Sequence, residues 1–362
     1  MLLEKSITEI DHVLNEEVEK QKTPSVQYLL FNKEQIIHRF QMGLADIKNQ
    51  IIVNANTTYN AFSVTKTFTA LAILQLEAQQ RMNIDYPVKK YLPDFPYSPE
   101  ITIRQILSHA AGIPNPIPLS WIHLAGEHES LYRNRFSKSI FTKNNKTKFK
   151  PNERYSYSNL GYVLLGEMIE KVSGMKYEQY ININIILPLG LQSKDLGFRI
   201  TDLDHHAKGY QKQVSFSNAL LGFFIDRLKY MSSKEGKWIP FKPFYVNGAS
   251  YGGLIGTPDA FVKYIQELLK QDGALLKDDF KKKLFTENHT AAGKATGMCL
   301  SWLKGELNGN VYFSHPGGGG GYYCEIRIYP KAGLGSVIMF NRSGMTDERF
   351  LDKVDKFYFE NG

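Results

Sequence analysis

Strand-forming patterns sit at the two ends of this chain, a helical and proline-punctuated stretch lies between them, and that separation constrains the fold more than any other feature. A strand needs hydrogen-bonding neighbours, so the two sets must find each other. PSVQYLLFNKEQIIHRFQMGLAD reads as two strands joined by a turn at Asn32-Lys33, with apolar and β-branched runs on either side. Short strand patterns return around Leu300, Tyr312, Glu325 to Tyr329 and Ser336 to Phe340. The simplest pairing is an antiparallel sheet built from both chain ends and flanked by helices, with a mostly helical part inserted, an α+β architecture. The expected boundaries are 1–80 plus 245–362 for the sheet domain and 81–244 for the inserted helical domain.

Helical spacing of Val64, Phe68, Leu71, Ala72 and Leu76 predicts a helix over 64–80. Further helices are expected at the N-terminus, near Leu160 to Val172, over 259–271 after a Thr257-Pro258 start, and from Phe350 to Glu360. A chain of 362 residues, 43% hydrophobic and 22% charged, has ample material for such a core and excludes a disordered or disulfide-scaffold protein. The 44 basic and 36 acidic residues leave a net charge of +8, but the lysines are scattered and no nucleic-acid motif accompanies them. Nucleic acid is therefore not an expected partner. Two cysteines without a C-x-x-C pattern offer neither a zinc site nor a disulfide framework, and no cofactor motif is evident. No run is long enough to cross a membrane, and Glu4, Lys5, Glu9 and Asp11 interrupt any signal-peptide core. The chain as written is expected in the cytoplasm, or in the periplasm or outside the cell if a leader has been removed. Oligomeric state is left open.

Three segments carry chemistry. Ser63-Val64-Thr65-Lys66 is an S-x-x-K pattern, in which positions i and i+3 share a helix face so that the amine reaches the hydroxyl. The helix N-terminus there suits an oxyanion, and the same serine suits an ordinary N-cap. Tyr157-Ser158-Asn159 follows a turn-rich segment and opens a helical pattern. Tyr157 can move a proton if cations favour its phenolate, and Asn159 offers a donor and an acceptor; a packed tyrosine at a helix entry accounts for the same residues. His315-Pro316-Gly317-Gly318 lies within HPGGGGGYY, where glycines allow close backbone approach and free amides, or simply a flexible hairpin loop.

In this order the three segments resemble the serine β-lactamase and penicillin-binding superfamily, nearest its class C β-lactamase, DD-peptidase and esterase branch. The resemblance extends through NTTYNAFSVTKTFTALAILQLEAQQRMNIDYPVKKYLPDF, ITIRQILSHAAGIP, FKPNERYSYSNLGYVLLGEMIE, GGLIGTPDAFVKYI and SHPGGGGGY. It implies Ser63 as nucleophile, Lys66 and Tyr157 as the base-acid pair, Asn159 as a substrate contact, and an oxyanion hole from the amides of Ser63 and Gly318 beside Gly317. His315 is expected to supply a proton or a hydrogen bond to the same pocket. The activity implied is serine hydrolysis of an ester or amide, by an esterase or D-amino-acid peptidase or amidase, with a slowly deacylating penicillin-binding or sensor protein as the alternative. Where many members carry Lys-Thr/Ser-Gly, this chain has His-Pro-Gly without the cation and hydroxyl that recognise a carboxylate, so β-lactam turnover is expected to be slow. Asn152 replaces a glycine often found before the tyrosine and tolerates a left-handed backbone.

Competing patterns fit structural roles better than chemical ones. Gly248-Ala249-Ser250-Tyr251-Gly252 fits the G-x-S-x-G nucleophile elbow, yet glycines follow Ser250 where that motif needs a helix. His205-His206 reads as a solvated loop, and the lysines at 138, 143, 146, 148 and 150 as a solvated run that can form a rim attracting anionic substrates. Ala219 to Met231 reads as a packed helix, with a lid or dimer contact as the other option, and His109 as a loop-holding or packing residue beside the site.

Overall fold

The computed structural model describes residues 2–116, 118, 121–130, 133–215, 225–343 and 349–360. Helix α1 (Leu2–Glu19) leads into β1 (Ser25–Asn32), β2 (Ile36–Asp46) and the short β3 (Ile51–Ile52). The site-bearing helices follow: α2 (Thr65–Ala78), α3 (Ile103–Leu107) and α4 (Asn159–Ser173), then α5 (Pro258–Leu269). Four late strands, β4 (Leu303–Leu307), β5 (Asn310–Gly319), β6 (Tyr322–Tyr329) and β7 (Leu334–Phe340), precede the closing helix α6 (Phe350–Glu360).

The seven strands form one sheet in the order β4-β5-β6-β7-β1-β2-β3, with every pair antiparallel. The seam between the chain ends is β1 against β7, in the register Val26↔Phe340, Tyr28↔Ile338 and Leu30↔Ser336. Both faces of β1 are covered, so every residue from Ser25 to Phe31 is buried, the polar Ser25 and Gln27 included, which bond Asn341 and Tyr59. Val26, Tyr28 and Leu30 join Ile10, Leu14 and Val354 of the terminal helices, whereas Leu29 and Phe31 face the larger core that contains α2 and α5. Arg327 of β6, fully buried, bonds Glu325 and Asp352 at 2.7 Å each, while Asp355 of α6 accepts from Tyr28, Tyr329 and Ser336. This buried polar network, in which the Arg327 Nε alone of the guanidinium nitrogens lacks a partner, ties the closing helix to the sheet.

Two strand readings change. The strand expected around Leu300 begins at Leu303, because Ser301 has φ +72° and the Cys299 N–H closes a turn on the Trp302 carbonyl at 2.7 Å. The glycine-rich His315 segment is not a loop before a strand; His315–Gly319 are part of β5, paired in register with β6 at His315↔Ile326, Gly317↔Cys324 and Gly318↔Tyr323. Helix α2 is buried all round, including Thr65, Lys66, Thr67 and Thr69, so it is a core helix rather than one with a single apolar stripe. Among the described residues, no helix is long and apolar enough to cross a membrane.

Candidate active site

Ser63 sits in a single 3-10 turn, Phe62–Val64, that leads into α2. The turn is pinned from both sides: the Ala61 N–H donates to the Leu254 carbonyl at 2.9 Å, and the Thr65 hydroxyl accepts from the Leu254 N–H at 3.0 Å. Phe62 holds φ at +46°, a costly conformation for a bulky residue, and its ring lies 6.2 and 6.3 Å from those of Phe244 and Tyr322. Ser63 does not cap the helix. Its Oγ instead accepts a 2.7 Å hydrogen bond from the Tyr157 hydroxyl and lies 3.0 Å from Lys66 Nζ.

Lys66 is completely buried one helical turn further on, and its Nζ donates to the Tyr251 carbonyl at 2.6 Å. The rings of Tyr157, Tyr162 and Tyr251 surround it at 4.9, 5.5 and 5.4 Å from Nζ. Burial alone holds its pKa well below the usual lysine range, so the neutral amine is favoured.

Tyr157 precedes α4, whose N-cap is Ser158: the Ser158 hydroxyl accepts from the Gly161 N–H at 3.1 Å and donates to the Pro114 carbonyl at 2.9 Å. The residues on either side of Tyr157 are held by one side chain and its backbone. The Ser156 N–H donates to the His109 carbonyl at 2.8 Å, and the Ser158 N–H donates to His109 Nδ1 at 3.1 Å. The imidazole also packs against the phenol ring at 4.3 Å between centroids. His109 has φ +55°, is 2% exposed, and its pKa is held well below the usual histidine range, chiefly by burial. Asn159 is buried too. Its backbone N–H and its side-chain amide both donate to Asn115 Oδ1, at 3.0 and 3.1 Å, leaving Asn159 Oδ1 without a partner. The side chain therefore offers chiefly an acceptor rather than the equal donor and acceptor expected. Asn152 adopts φ +59°, the left-handed backbone an asparagine tolerates.

On β5, His315 Nδ1 lies 2.7 Å from the Pro316 carbonyl, which places the ring proton there and leaves Nε2 as a buried acceptor with no partner. Burial, followed by Lys66, pushes its pKa down to about 3, so it does not exchange protons near neutrality. Of the two expected contributions, a proton or a hydrogen bond, this environment favours the hydrogen bond. Gly317 presses the strand against the serine turn: a Cβ there would stand 2.1 Å from the Ala61 carbonyl oxygen and 2.9 Å from the Ser63 nitrogen. Gly318 is exposed beside Ser63.

A cleft with two arms meets at Ser63, Gly318 and Gly319. One arm is walled by Phe62, Ile122, Ile225, Phe241, Phe244 and Val246, and the other by Tyr157, His315, Met298, Leu303 and Tyr322. The competing serine lies elsewhere. Ser250 occupies a one-turn helix, Ala249–Gly252, packed so closely that a Cβ on Gly166 would be 2.3 Å from its Oγ. The described residues that line its hollow include Glu167 and Glu170 but no histidine.

The basic rim is also displaced, since Lys148 and Lys150 line a separate hollow with Glu100, Glu153 and Arg154. His206 is not solvated; it is buried between the hydroxyls of Thr58 and Tyr322, each 3.0 Å from a ring nitrogen, while His205 pairs with Asp202. Of the Ala219 to Met231 segment, residues 219–224 lie outside the described residues, and the remainder contains only the short helix Arg227–Tyr230. His109 both holds and packs against the Tyr157 segment, in keeping with the loop-holding or packing reading of it, whereas the part of Asn115 in holding Asn159 does not show in the sequence, although it lies next to the ITIRQILSHAAGIP segment.

A family model described as Beta-lactamase matches residues 10–357. Penicillin-binding protein 4* of Bacillus subtilis (strain 168) is 28% identical over 304 residues, covering 81% of this chain and 63% of that protein. Protein flp of Staphylococcus aureus (strain MW2) is 31% identical over 214 residues, 57% of this chain and 42% of that protein. The chain thus spans less than two thirds of the length of these relatives. Among solved structures, the octameric penicillin-binding protein homologue from Pyrococcus abyssi superposes with a TM-score of 0.75 at 24% identity, over 93% of this chain and 74% of that one. D-amino acid amidase from Ochrobactrum anthropi SV3 superposes with a TM-score of 0.76 at 20% identity, over 98% of both chains. These two likenesses show the shared fold, and the family match, covering nearly the whole chain, makes this protein a member of the Beta-lactamase family.

Proposed function

We propose that this protein is a serine hydrolase that cleaves an ester or amide through an acyl-enzyme on Ser63. The observation that carries the reading is the pair of contacts on one oxygen: Tyr157 OH at 2.7 Å and Lys66 Nζ at 3.0 Å, with the lysine held toward its neutral form by burial. A neutral amine takes the Ser63 proton as Oγ adds to the carbonyl carbon. The resulting tetrahedral oxyanion lies between the backbone amides of Ser63 and Gly318, a placement supported by the tight approach of Gly317 to the serine turn. Lys66 then returns the proton, through Tyr157, to the departing oxygen or nitrogen as its bond to carbon breaks. Water repeats the sequence in reverse: it loses a proton to the Lys66 and Tyr157 pair, adds to the acyl carbon, and Ser63 leaves protonated.

His315 enters this scheme as an acceptor of a substrate hydrogen bond at Nε2, and Asn159 as an acceptor at Oδ1. The units 1–80 plus 245–362 and 81–244 meet at the cleft in this reading, the first carrying Ser63 and His315 and the second Tyr157. The penicillin-binding proteins and the D-amino acid amidase among the relatives make amides as well as esters reasonable substrates. Slow β-lactam turnover follows from His315-Pro316-Gly317, which offers no cation for the drug's carboxylate.

The test is Ser63→Ala, which is expected to abolish both turnover of a chromogenic ester and covalent labelling by a fluorophosphonate. Labelling that persists in the variant removes Ser63 as nucleophile. Stoichiometric labelling of the wild type without ester or amide turnover replaces the hydrolase with a sensor that holds its acyl group.

A further inference from the structure

The two arms of the cleft differ in what they can accept, and the difference assigns the two sides of the substrate. A leaving group must receive its proton from Tyr157, and Tyr157 and His315 line only one arm. The leaving group therefore enters that arm, and the acyl substituent is directed into the other. The acyl arm is walled by the small sheet that pairs Ile122 with Val246 and Leu124 with Phe244. Phe241 and Phe244 are buried and form its fixed back, with the Phe244 ring seated over Gly320, where a Cβ would lie 2.3 Å from it. Ile122 and Val246 are half-buried along its wall. Among the described residues that line either arm, no side chain is an acid, a lysine or an arginine, and His315 is held neutral. A carboxylate entering the acyl arm would lose its water without gaining a cationic partner, and an ammonium would meet no acid there, only the neutral Asn159 Oδ1 acceptor.

Resting on the acyl-enzyme reading above, we infer that the acyl donor is uncharged and apolar, a chain of several carbons seated against Phe244, Ile122 and Val246, with a neutral alcohol or amine leaving past Tyr157. The experiment uses para-nitrophenyl acetate, butyrate, pentanoate and hexanoate, with the hemisuccinate as a charged analogue of the pentanoate. Each added methylene buried in the arm raises kcat/KM about fourfold until the arm is full. The hemisuccinate is expected to fall more than about tenfold below the pentanoate, because its carboxylate is desolvated unpaired. Val246→Phe, or Ile122→Phe should the first variant fold poorly, shifts the preferred chain to a shorter one. Leu303→Phe, in the other arm, changes the order among ethyl, butyl and benzyl esters of one acid instead.

A flat or falling chain-length series, or a hemisuccinate as good as the pentanoate, overturns the inference. So does an unchanged acyl order in both Val246→Phe and Ile122→Phe. Fluorophosphonate labelling run alongside separates the two claims: Ser63 labelled with a flat series refutes the acyl-arm assignment alone, and Ser63 unlabelled refutes the acyl-enzyme reading beneath it.

Discussion

Replacing Gly317 by alanine tests whether β5 must lie directly against the serine turn. The added methyl would stand 2.1 Å from the Ala61 carbonyl oxygen, 2.9 Å from the Ser63 nitrogen and 3.1 Å from the Val64 nitrogen. All three obstacles are backbone, so no side chain can swing away. Relief requires the strand and the turn to separate by about 1 Å, given ordinary contact distances. The two proposed oxyanion amides and the proposed nucleophile ride on those two segments, and a misplacement of about 1 Å costs on the order of 100-fold in rate. That corresponds to about 2.7 kcal/mol of transition-state stabilisation. The neighbouring position supplies the control: a Cβ on Gly318 finds nothing nearer than the Tyr322 carbonyl at 3.6 Å, an ordinary contact. Steady-state kcat/KM on a chromogenic ester, with circular dichroism to verify folding, should therefore fall about 100-fold for Gly317→Ala and less than about tenfold for Gly318→Ala. Equal activity in the two variants would refute the close approach as a catalytic requirement.

Further expectations concern charge and positioning. Lys66→Met should abolish turnover while raising the melting temperature, by about 1–3 kcal/mol of stability at neutral pH, since a polar group that is costly to bury is replaced by an apolar one of similar length. Its advantage should shrink as pH rises toward about 10.4, because over the interval above the depressed folded pKa the unfolded chain holds the extra proton and wild-type stability climbs. His315→Ala should lower kcat/KM but leave the pH profile between about 5 and 8 unmoved, because the imidazole, with its pKa near 3, is neutral throughout that range; a shifted limb would contradict this. His109→Asn keeps an acceptor and tolerates φ +55°, whereas His109→Ala does neither, so kcat should be largely retained in the first and drop about 10–100-fold in the second if the residue positions Tyr157. Equal losses in the two would assign it a packing role alone.

The segments that meet at the candidate site are legible in the sequence because their signals are local. Ser63 and Lys66 are three apart at a helix start, and Ser158 is an N-cap whose bond to Gly161 spans three residues. The sheet is legible through the apolar run in β1 and the partners its edges demand, with β1 and β7 pairing across more than 300 residues. What escapes depends on contacts between distant segments. His206 reads as a solvated loop because its partners, Thr58 and Tyr322, lie 148 and 116 residues away. Glycine is a weak strand former, so HPGGGGG reads as a loop; pairing with β6 and the need to fit beneath the Ala61 carbonyl override that tendency. The neutral state of His315 and the depressed pKa of Lys66 arise from burial, which no spacing encodes.

The central claim is that the acyl group is carried by Ser63. Wild-type protein quenched in acid during turnover of a slow ester, then weighed intact and digested, should show one added acyl mass, located on the Ser63 peptide and absent from Ser63→Ala. An adduct on the peptide containing Ser250, or rapid turnover in Ser63→Ala, would contradict the account.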